Sequence, residues 1–266
     1  MRRRVLIPIV VCLVAAPTLG AETARQILDR RKALDDTARH WVDRRQTLKF
    51  RIVDRHGGVR TRDLELAEKR YPDDERKAIV FFLSPPEVKG TSFLAFTHKG
   101  KPADQWLYLP ELERVRQITA NTRTQSFVGT DLTYRDLDIL TEMASWTEAD
   151  ATSSLRGEET VDGVPCHVID LAPKRDDIGY AKIVLWLGRD DLVPRRLEFF
   201  GDEPEAAKRI EQRDIRNVGA IPVAYDTKVE TLAAGSSTEI TVVDTKFNQN
   251  LSDDAFSQRA LEQGPQ

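Results

Sequence analysis

Residues that could bind a metal ion are few in this sequence, and their spacing does not suit a shared site. The four histidines fall on a predicted helix, a turn, a strand end and a strand; they are His40, His56, His98 and His167. Cys166 precedes His167, but adjacent residues of a strand point to opposite faces. Zinc sites need several such side chains converging on one point. The sequence therefore predicts no metal site.

Ser126 lies in the run QSFVG, residues 125–129, which superficially resembles the setting of a catalytic nucleophile. A hydrolase nucleophile sits on a strand-turn-helix elbow between two glycines, and this run lacks that glycine pair. Cys166 is interpreted as a small buried apolar residue rather than as a reactive thiol. A serine hydrolase stays open as a formal possibility.

Asp131 and Asp136 lie on either side of Tyr134, where an acid–base pair could be sought. We interpret both as helix caps, because short acidic side chains commonly accept hydrogen bonds from the first turn of a helix. The chain has no glycine-rich phosphate loop and no dinucleotide-binding fingerprint. The sequence predicts neither a catalytic residue nor a cofactor, and it favours a binding protein over an enzyme.

Residues 1–21 have the layout of a cleaved secretory signal peptide, with three arginines, an apolar run and then small residues. A membrane anchor is the alternative, but the run is shorter than the roughly 20 apolar residues that a spanning helix needs, and Pro8 interrupts it. Cleavage would leave one domain, residues 22–266, with Cys166 as its single cysteine and no internal disulfide. Its 37 basic and 43 acidic residues give a net charge of −6, which disfavours nucleic acid and anionic lipid surfaces as partners. We expect a soluble, exported monomer.

The elements that position these residues are mostly strands. Apolar residues at three- and four-residue steps predict one amphipathic helix over residues 22–42. About ten strands follow, and those at residues 77–83, 88–98, 104–109 and 183–187 are apolar on both faces. Antiparallel meanders normally keep one face wet, so the second face of these strands must also be covered.

The segment between the two groups of strands, residues 127–140, is predicted to form a loop and short helical turns that cover the sheet. The resulting fold class is mainly β, of the α+β type. The expected architecture is a strongly bent antiparallel sheet that forms an incomplete barrel, with a concave side wide enough for a ligand cavity.

Aromatic and apolar side chains of these strands and of the covering segment are the candidate walls of that cavity. Core packing is the alternative for each of them. The candidates are Phe81, Phe93, Phe96, Trp106, Tyr108, Phe127, Leu132, Tyr134 and Trp186.

A basic run precedes the cover. Arg114, Arg116 and Arg123 are candidates to meet a phosphate or carboxylate head group at the rim, with a solvated surface as the alternative for each. The loop at residues 120–131 contains polar residues and Gly129, and it is the candidate for the part of the cover that opens.

Three motifs resemble one known family. They are KGTSFL at residues 89–94, DQWLYLP at 104–110 and SFVGTDLTYRDL at 126–137. They are similar to the outer-membrane lipoprotein-sorting proteins of the LolA-like superfamily, with Thr130 and Leu132 where that family favours Ser and Phe. The resemblance implies a half-barrel closed by an N-terminal helix and short lid helices, a periplasmic location and binding of acyl chains or whole lipids. It also implies a transporter of the resistance-nodulation-division (RND) type as partner.

The leading hypothesis is therefore a periplasmic carrier that shields acyl chains of a lipid or lipoprotein and passes them toward the outer membrane. A second hypothesis is a sensor or adaptor of the same fold that docks on a membrane transporter or regulator. An enzyme with an unrecognised site is the third.

Overall fold

The computed structural model describes residues 22–265, so the predicted signal peptide lies outside the described residues. These described residues form three α-helices and one antiparallel sheet of thirteen strands. The helices are α1 (Ala24–Asp36), α2 (Tyr134–Glu142) and α3 (Gln258–Gln263). The strands are β1 (Asp43–Val53), β2 (Val59–Arg70), β3 (Arg76–Ser84), β4 (Ser92–His98), β5 (Lys101–Leu109), β6 (Arg114–Gln117), β7 (Ala151–Val161), β8 (Val164–Pro173), β9 (Lys182–Gly188), β10 (Pro194–Phe200), β11 (Lys208–Val218), β12 (Ile221–Thr231) and β13 (Ser236–Phe247).

The strand order is β6-β5-β4-β3-β2-β1-β13-β12-β11-β10-β9-β8-β7, which is two meanders joined where β1 pairs with β13. Strands β6 and β7 are the two edges, so the sheet does not close into a barrel. Asp162 and Gly163 form the turn between β7 and β8. Both residues have positive φ, at 48° and 80°, which suits the tight turns that connect twisted antiparallel strands.

One apolar cluster collects side chains from strands at opposite ends of the sheet, including Phe93 of β4 and Leu185 of β9. Strands this far apart in the order can share a cluster only if the sheet curves around it. We call this concave side the inner face, and it is covered by α1, α2 and the segment between β6 and β7. The predicted bent sheet and incomplete barrel are confirmed.

The convex side carries a second cluster, which we call the outer cluster. Alternate residues of β3 and β4 separate the two, because Phe82 and Phe93 belong to the inner cluster, whereas Phe81 and Leu94 belong to the outer one. The outer cluster is covered by the C-terminal segment with Phe256 and Leu261. The expectation that both faces of these strands are covered is therefore confirmed.

Some sequence predictions were wrong in detail. The first helix ends at Asp36 rather than extending to residue 42. There the hydroxyl of Thr37 donates to the carbonyl of Ala33 at 2.5 Å, a local bond that competes with further helical pairing. The sheet has thirteen strands rather than about ten, and α3 was not predicted. Within residues 22–265, no helix is both long and apolar enough to span a membrane.

Candidate ligand-binding cavity

A cavity of about 300 Å³ lies between the inner face of the sheet and the segment that contains α2. Its walls are mainly aliphatic and aromatic. The apolar wall residues are Leu48, Phe50, Leu64, Leu66, Ala78, Val80, Phe93, Ala95, Phe127, Leu132, Leu137, Leu140 and Ile240, and Arg44, Glu68, Arg76, Thr97, Asp138 and Thr141 complete the lining. This surface arises because successive side chains of a strand point to opposite faces of the sheet. Leu64 and Leu66 of β2 therefore point inward, while their neighbours in the sequence point out. The apolar surface continues from one strand to the next, because the register places Val80 of β3 directly opposite Phe93 of β4.

An aromatic group joins the cover to the sheet. The ring of Phe127 lies 5.1 Å from that of Phe93 and 5.7 Å from those of Phe82 and Tyr134, measured between centroids. Phe127 is only 2 % exposed. Such tilted and edge-to-face pairs add about 0.5–1.5 kcal/mol each beyond the area that they bury. The cover is therefore packed onto the inner face at this point.

Asp131 ties the end of the predicted opening loop to β12 and β13. Its carboxylate accepts hydrogen bonds from the hydroxyls of Thr231, Ser236 and Thr238 at 2.9, 2.5 and 2.7 Å. Its backbone N–H donates to Thr238 Oγ1 at 2.9 Å. Asp131 is thus an anchor between the cover and the sheet rather than a helix cap, which corrects the interpretation from sequence.

Asp136 does cap α2, as the sequence predicted. One carboxylate oxygen accepts from the backbone N–H of Thr133 at 2.7 Å, and the Thr133 hydroxyl accepts from the N–H of Asp136 at 3.1 Å, which forms a capping box. The same carboxylate contacts the ammonium of Lys208 and accepts from the hydroxyl of Tyr180 at 2.7 Å. Burial and the Asp136 charge raise the pKa of Tyr180. These contacts attach the start of α2 to the second meander.

Two more carboxylates of α2 are buried. Asp138 borders the cavity, where it pairs with Arg123 and accepts from Gln105 Nε2 at 2.7 Å. Burial raises the pKa of Asp138 to about 6 in spite of Arg123. Burial likewise raises the pKa of Glu142 to about 7, against the opposing effect of Arg175 at 2.9 Å. One Glu142 oxygen, Oε1, is buried without a hydrogen-bond partner in the described part of the chain, which agrees with a carboxyl that holds its proton.

Comparisons with known proteins agree with this architecture. A family model described as "Uncharacterized protein" matches residues 74–263. The chain is similar to the crystal structure of a candidate outer membrane lipoprotein-sorting protein domain from Vibrio parahaemolyticus, with 26% identity and a TM-score of 0.81 over 90% of this chain and 98% of that one. It is also similar to a LolA superfamily protein from Nitrosomonas europaea, with 17% identity and a TM-score of 0.67 over 90% of this chain and 100% of that one. The chain belongs to the family of that model, and its fold is LolA-like. No curated protein matches it.

A DUF1329 family protein from Desulfovibrio piger has the same TM-score of 0.81 at 24% identity, over 90% of this chain and 100% of that one. The match covers nearly all of each chain, so this LolA-like chain and its structural relatives share the whole sheet rather than one part of it.

The cavity of this LolA-like chain includes only part of the candidate wall predicted from sequence. Phe93, Phe127 and Leu132 line it, and Tyr134 packs against Phe93 and Phe127. The other five lie on the outer side of the sheet: Phe81, Phe96, Trp106 and Tyr108 pack in the outer cluster, and Trp186 packs in a third cluster with Cys166 and Val184. These five therefore do not share a wall with the first four.

The three candidate rim arginines are not part of the cavity lining. Arg114 and Arg116 are exposed on the edge strand β6. Arg123 contacts the carboxylate of Asp138 and the carbonyl of Ala103, so its guanidinium is already engaged. A head-group role for these residues stays a prediction.

The residues considered for chemistry are engaged in structural contacts. The Ser126 hydroxyl donates to the carbonyl of Thr130 at 2.6 Å. Cys166 is buried, and burial raises the pKa of its thiol, which disfavours the reactive thiolate. Within residues 22–265, no group of three or more His, Cys, Asp or Glu side chains could hold a metal ion.

Sequence reasoning missed a different group of arginines, which lines a second cavity beside the first. A signal for part of it was present in β2. Residues 64, 66, 68 and 70 alternate on one face as Leu, Leu, Glu and Arg, so the inner face changes from apolar to charged along this strand.

Proposed function

We propose that this protein is a periplasmic carrier that binds an acyl chain of a lipid or lipoprotein in the inner cavity and passes it toward the outer membrane. The observation that carries the proposal is the cavity of about 300 Å³ between the concave sheet face and α2, with walls that are mainly apolar. Ligand pockets typically have volumes of roughly 300–1,000 Å³. Each buried methylene contributes about 0.8 kcal/mol, so a chain of a dozen methylenes contributes about 10 kcal/mol before binding costs.

The cover supports a carrier that releases its cargo. Residues 127–141 cross the cavity and contact the sheet through side chains, chiefly the aromatic group at Phe127 and the hydrogen bonds of Asp131 and Asp136. They form no strand of the sheet, so they can move away from the cavity without loss of the sheet behind them. The relative from Vibrio parahaemolyticus, described as a candidate lipoprotein-sorting domain, adds support from a similar fold.

The first test is native mass spectrometry of protein purified gently from the periplasm, followed by lipid extraction and by uptake of a fluorescent fatty acid. We expect a bound acyl lipid and saturable uptake. The substitution Ala95→Trp fills the cavity and should abolish uptake, and Ala78→Leu, a smaller intrusion, should weaken it. Val243→Trp is the matched control, because Val243 is 59 % exposed and lies outside the cavity. Thermal melts establish that each variant is folded. No bound lipid and no uptake by the wild type would overturn the proposal.

The partner that we propose is an RND-type transporter of the inner membrane, and the acting form is a monomer. The transporter follows from the family resemblance. Chemical crosslinking in intact cells followed by mass spectrometry should identify such a transporter, and light scattering should give the mass of one chain. If a transporter remained bound to Ala95→Trp while lipid uptake was lost, a sensor or adaptor would replace the carrier.

A further inference from the structure

A second cavity of about 340 Å³ adjoins the apolar one. The two share Arg44, Leu48, Arg76 and Ile240 in their linings, so they meet along a common border. The second cavity is bounded by the end of α1, by the ends of β1–β3 and by β12–β13. Its lining is much more polar than that of the first. A ligand could therefore extend from an apolar compartment into a charged one.

Five arginines line the second cavity, namely Arg31, Arg39, Arg44, Arg70 and Arg76. Of the three carboxylates in the linings of the two cavities, Asp35 and Glu68 pair with these arginines, and Asp138 pairs with Arg123 instead. Asp35 lies 3.7 Å from Arg31, and Glu68 lies 2.6 Å from Arg44 and 3.5 Å from Arg76. Five positive charges against two negative charges leave an excess of three. Arg39 donates instead to the backbone carbonyl of Asp191 at 2.6 Å.

The strand register itself places like charges together. Arg70, at the end of β2, lies directly opposite Arg76, at the start of β3. Like charges at directly opposite positions destabilise a sheet. The register also places Arg44 of β1 opposite Glu68 of β2, and the Glu68 carboxylate forms ion pairs with both Arg44 and Arg76 of β3. The fold thus maintains an arrangement that its own side chains do not neutralise.

Arg70 shows the cost of this arrangement most clearly. Its Nε is buried and has no hydrogen-bond partner within residues 22–265. Its guanidinium lies 3.9 Å from the ring centroid of Trp41, within the range of a cation–π interaction, and its Nη1 donates to the backbone carbonyl of Asp35 at 3.4 Å. Burial, followed by the charge of Arg76, lowers the pKa of Arg70 to about 10. Burial also lowers the pKa of Arg31, beside Arg39 and Arg76.

We propose that this arginine cavity binds the anionic head group, a phosphate or carboxylate, of the lipid whose acyl chain occupies the apolar cavity. The proposal rests on the proposed function and extends it from the chain to the head group. A guanidinium fork matches the paired oxygens of carboxylates and phosphates, and an anion here would supply the missing negative charge and the partner that Arg70 Nε lacks. The shared border at Arg44 and Arg76 places head group and chain in one continuous ligand.

The test compares two probes at pH 7.5, pyrenedodecanoic acid and the uncharged pyrenedodecanol. We expect the wild type to bind the acid at least tenfold more tightly. Arg70→Gln and Arg76→Gln should each reduce the ratio of the two affinities to less than twofold, and the ratio cancels any change in the apolar cavity that both probes occupy. The matched control is Arg114→Gln, which removes the same charge from the exposed edge strand and should change neither affinity. Because Arg70→Gln also removes repulsion, its melting temperature without ligand should equal or exceed that of the wild type.

Competition then separates a lipid head group from a free anion. Dodecyl phosphate should displace the acid at micromolar concentration, and inorganic phosphate should do so only at concentrations at least a hundredfold higher. Equal binding of acid and alcohol by the wild type would overturn the head-group proposal and leave the carrier function standing. Equal displacement by dodecyl phosphate and inorganic phosphate would also overturn it, since the cavity would then be a site for free anions. Binding of neither probe would contradict the carrier function itself.

Discussion

The anchor at Asp131 gives the most specific prediction about how the cover is held. In Asp131→Ala, the three hydroxyls of β12 and β13 lose a charged acceptor. Hydrogen bonds to charged groups contribute about 1.5–3 kcal/mol each. Thr238 is fully buried and cannot turn to water, whereas Thr231 and Ser236 are only half-buried and can. We therefore expect a loss of about 3 kcal/mol in total, near the upper value for one such bond.

Two measurements check this loss. A loss of about 3 kcal/mol corresponds to a population of the open cover that is roughly 150-fold larger. Hydrogen exchange followed by mass spectrometry should show faster exchange in residues 120–133 than in the sheet. For a chain of this size, the melting temperature should fall by about 6–12 °C.

The matched control is Asp226→Ala. Asp226 lies on the same strand as Thr231 but is exposed, and it accepts one hydroxyl, from Thr241 at 3.2 Å. This variant should differ from the wild type by less than about 1 kcal/mol. The reasoning is refuted if Asp131→Ala melts earlier while exchange in residues 120–133 keeps its wild-type ratio to the sheet, because Asp131 would then stabilise the sheet without controlling the cover.

Two further predictions concern the elements around the cavity. Because the pKa of Glu142 is raised to about 7, its contribution to stability is fully present below about pH 4.5 and is lost as the pH rises through about 7. Glu142→Gln should therefore remove about 3 kcal/mol of pH dependence from the free energy of unfolding in that window. Urea denaturation at several pH values measures this change. An identical pH dependence in both proteins would contradict the assignment. In the outer cluster, Leu261→Ala should cost about 2–5 kcal/mol because Leu261 is fully buried, yet it should leave fatty acid affinity unchanged; a weaker affinity in the folded variant would show that this cluster takes part in binding.

The sequence predicted the sheet well because its signal is local. The run at residues 79–83 is apolar without alternation, so both faces of β3 had to be covered, and both are. The fold class and the family resemblance are confirmed as well. The first helix was extended too far because Trp41 and Val42 fit the helical period, although Trp41 lies in the turn before β1, where Arg70 stacks on it.

The walls of the site could not be predicted in the same way, because they depend on which face of each strand points inward. Phe81 and Phe82 are neighbours of equal apolarity, but only Phe82 joins the inner cluster. The choice follows from the register between strands and from the C-terminal segment, which occupies the outer side. The six-residue helix α3 is too short to give a periodic signal.

The arginine cavity was missed for a related reason. Arg31, Arg44, Arg70 and Arg76 belong to four different elements, and each looks like an ordinary surface arginine in its own segment. Only the antiparallel register brings the start of β1, the end of β2 and the start of β3 together at one end of these strands, where the end of α1 meets them.

Photolabelling tests the central claim most directly, because it reports where an acyl chain lies. A fatty acid with a diazirine near its methyl end would be bound, irradiated and mapped by peptide mass spectrometry. We predict labels on the peptide that contains α2, where Leu137 and Leu140 face the cavity, and their loss in Ala95→Trp. Labels confined to the C-terminal segment around Leu251 and Phe256 would place the chain on the outer face and contradict the account.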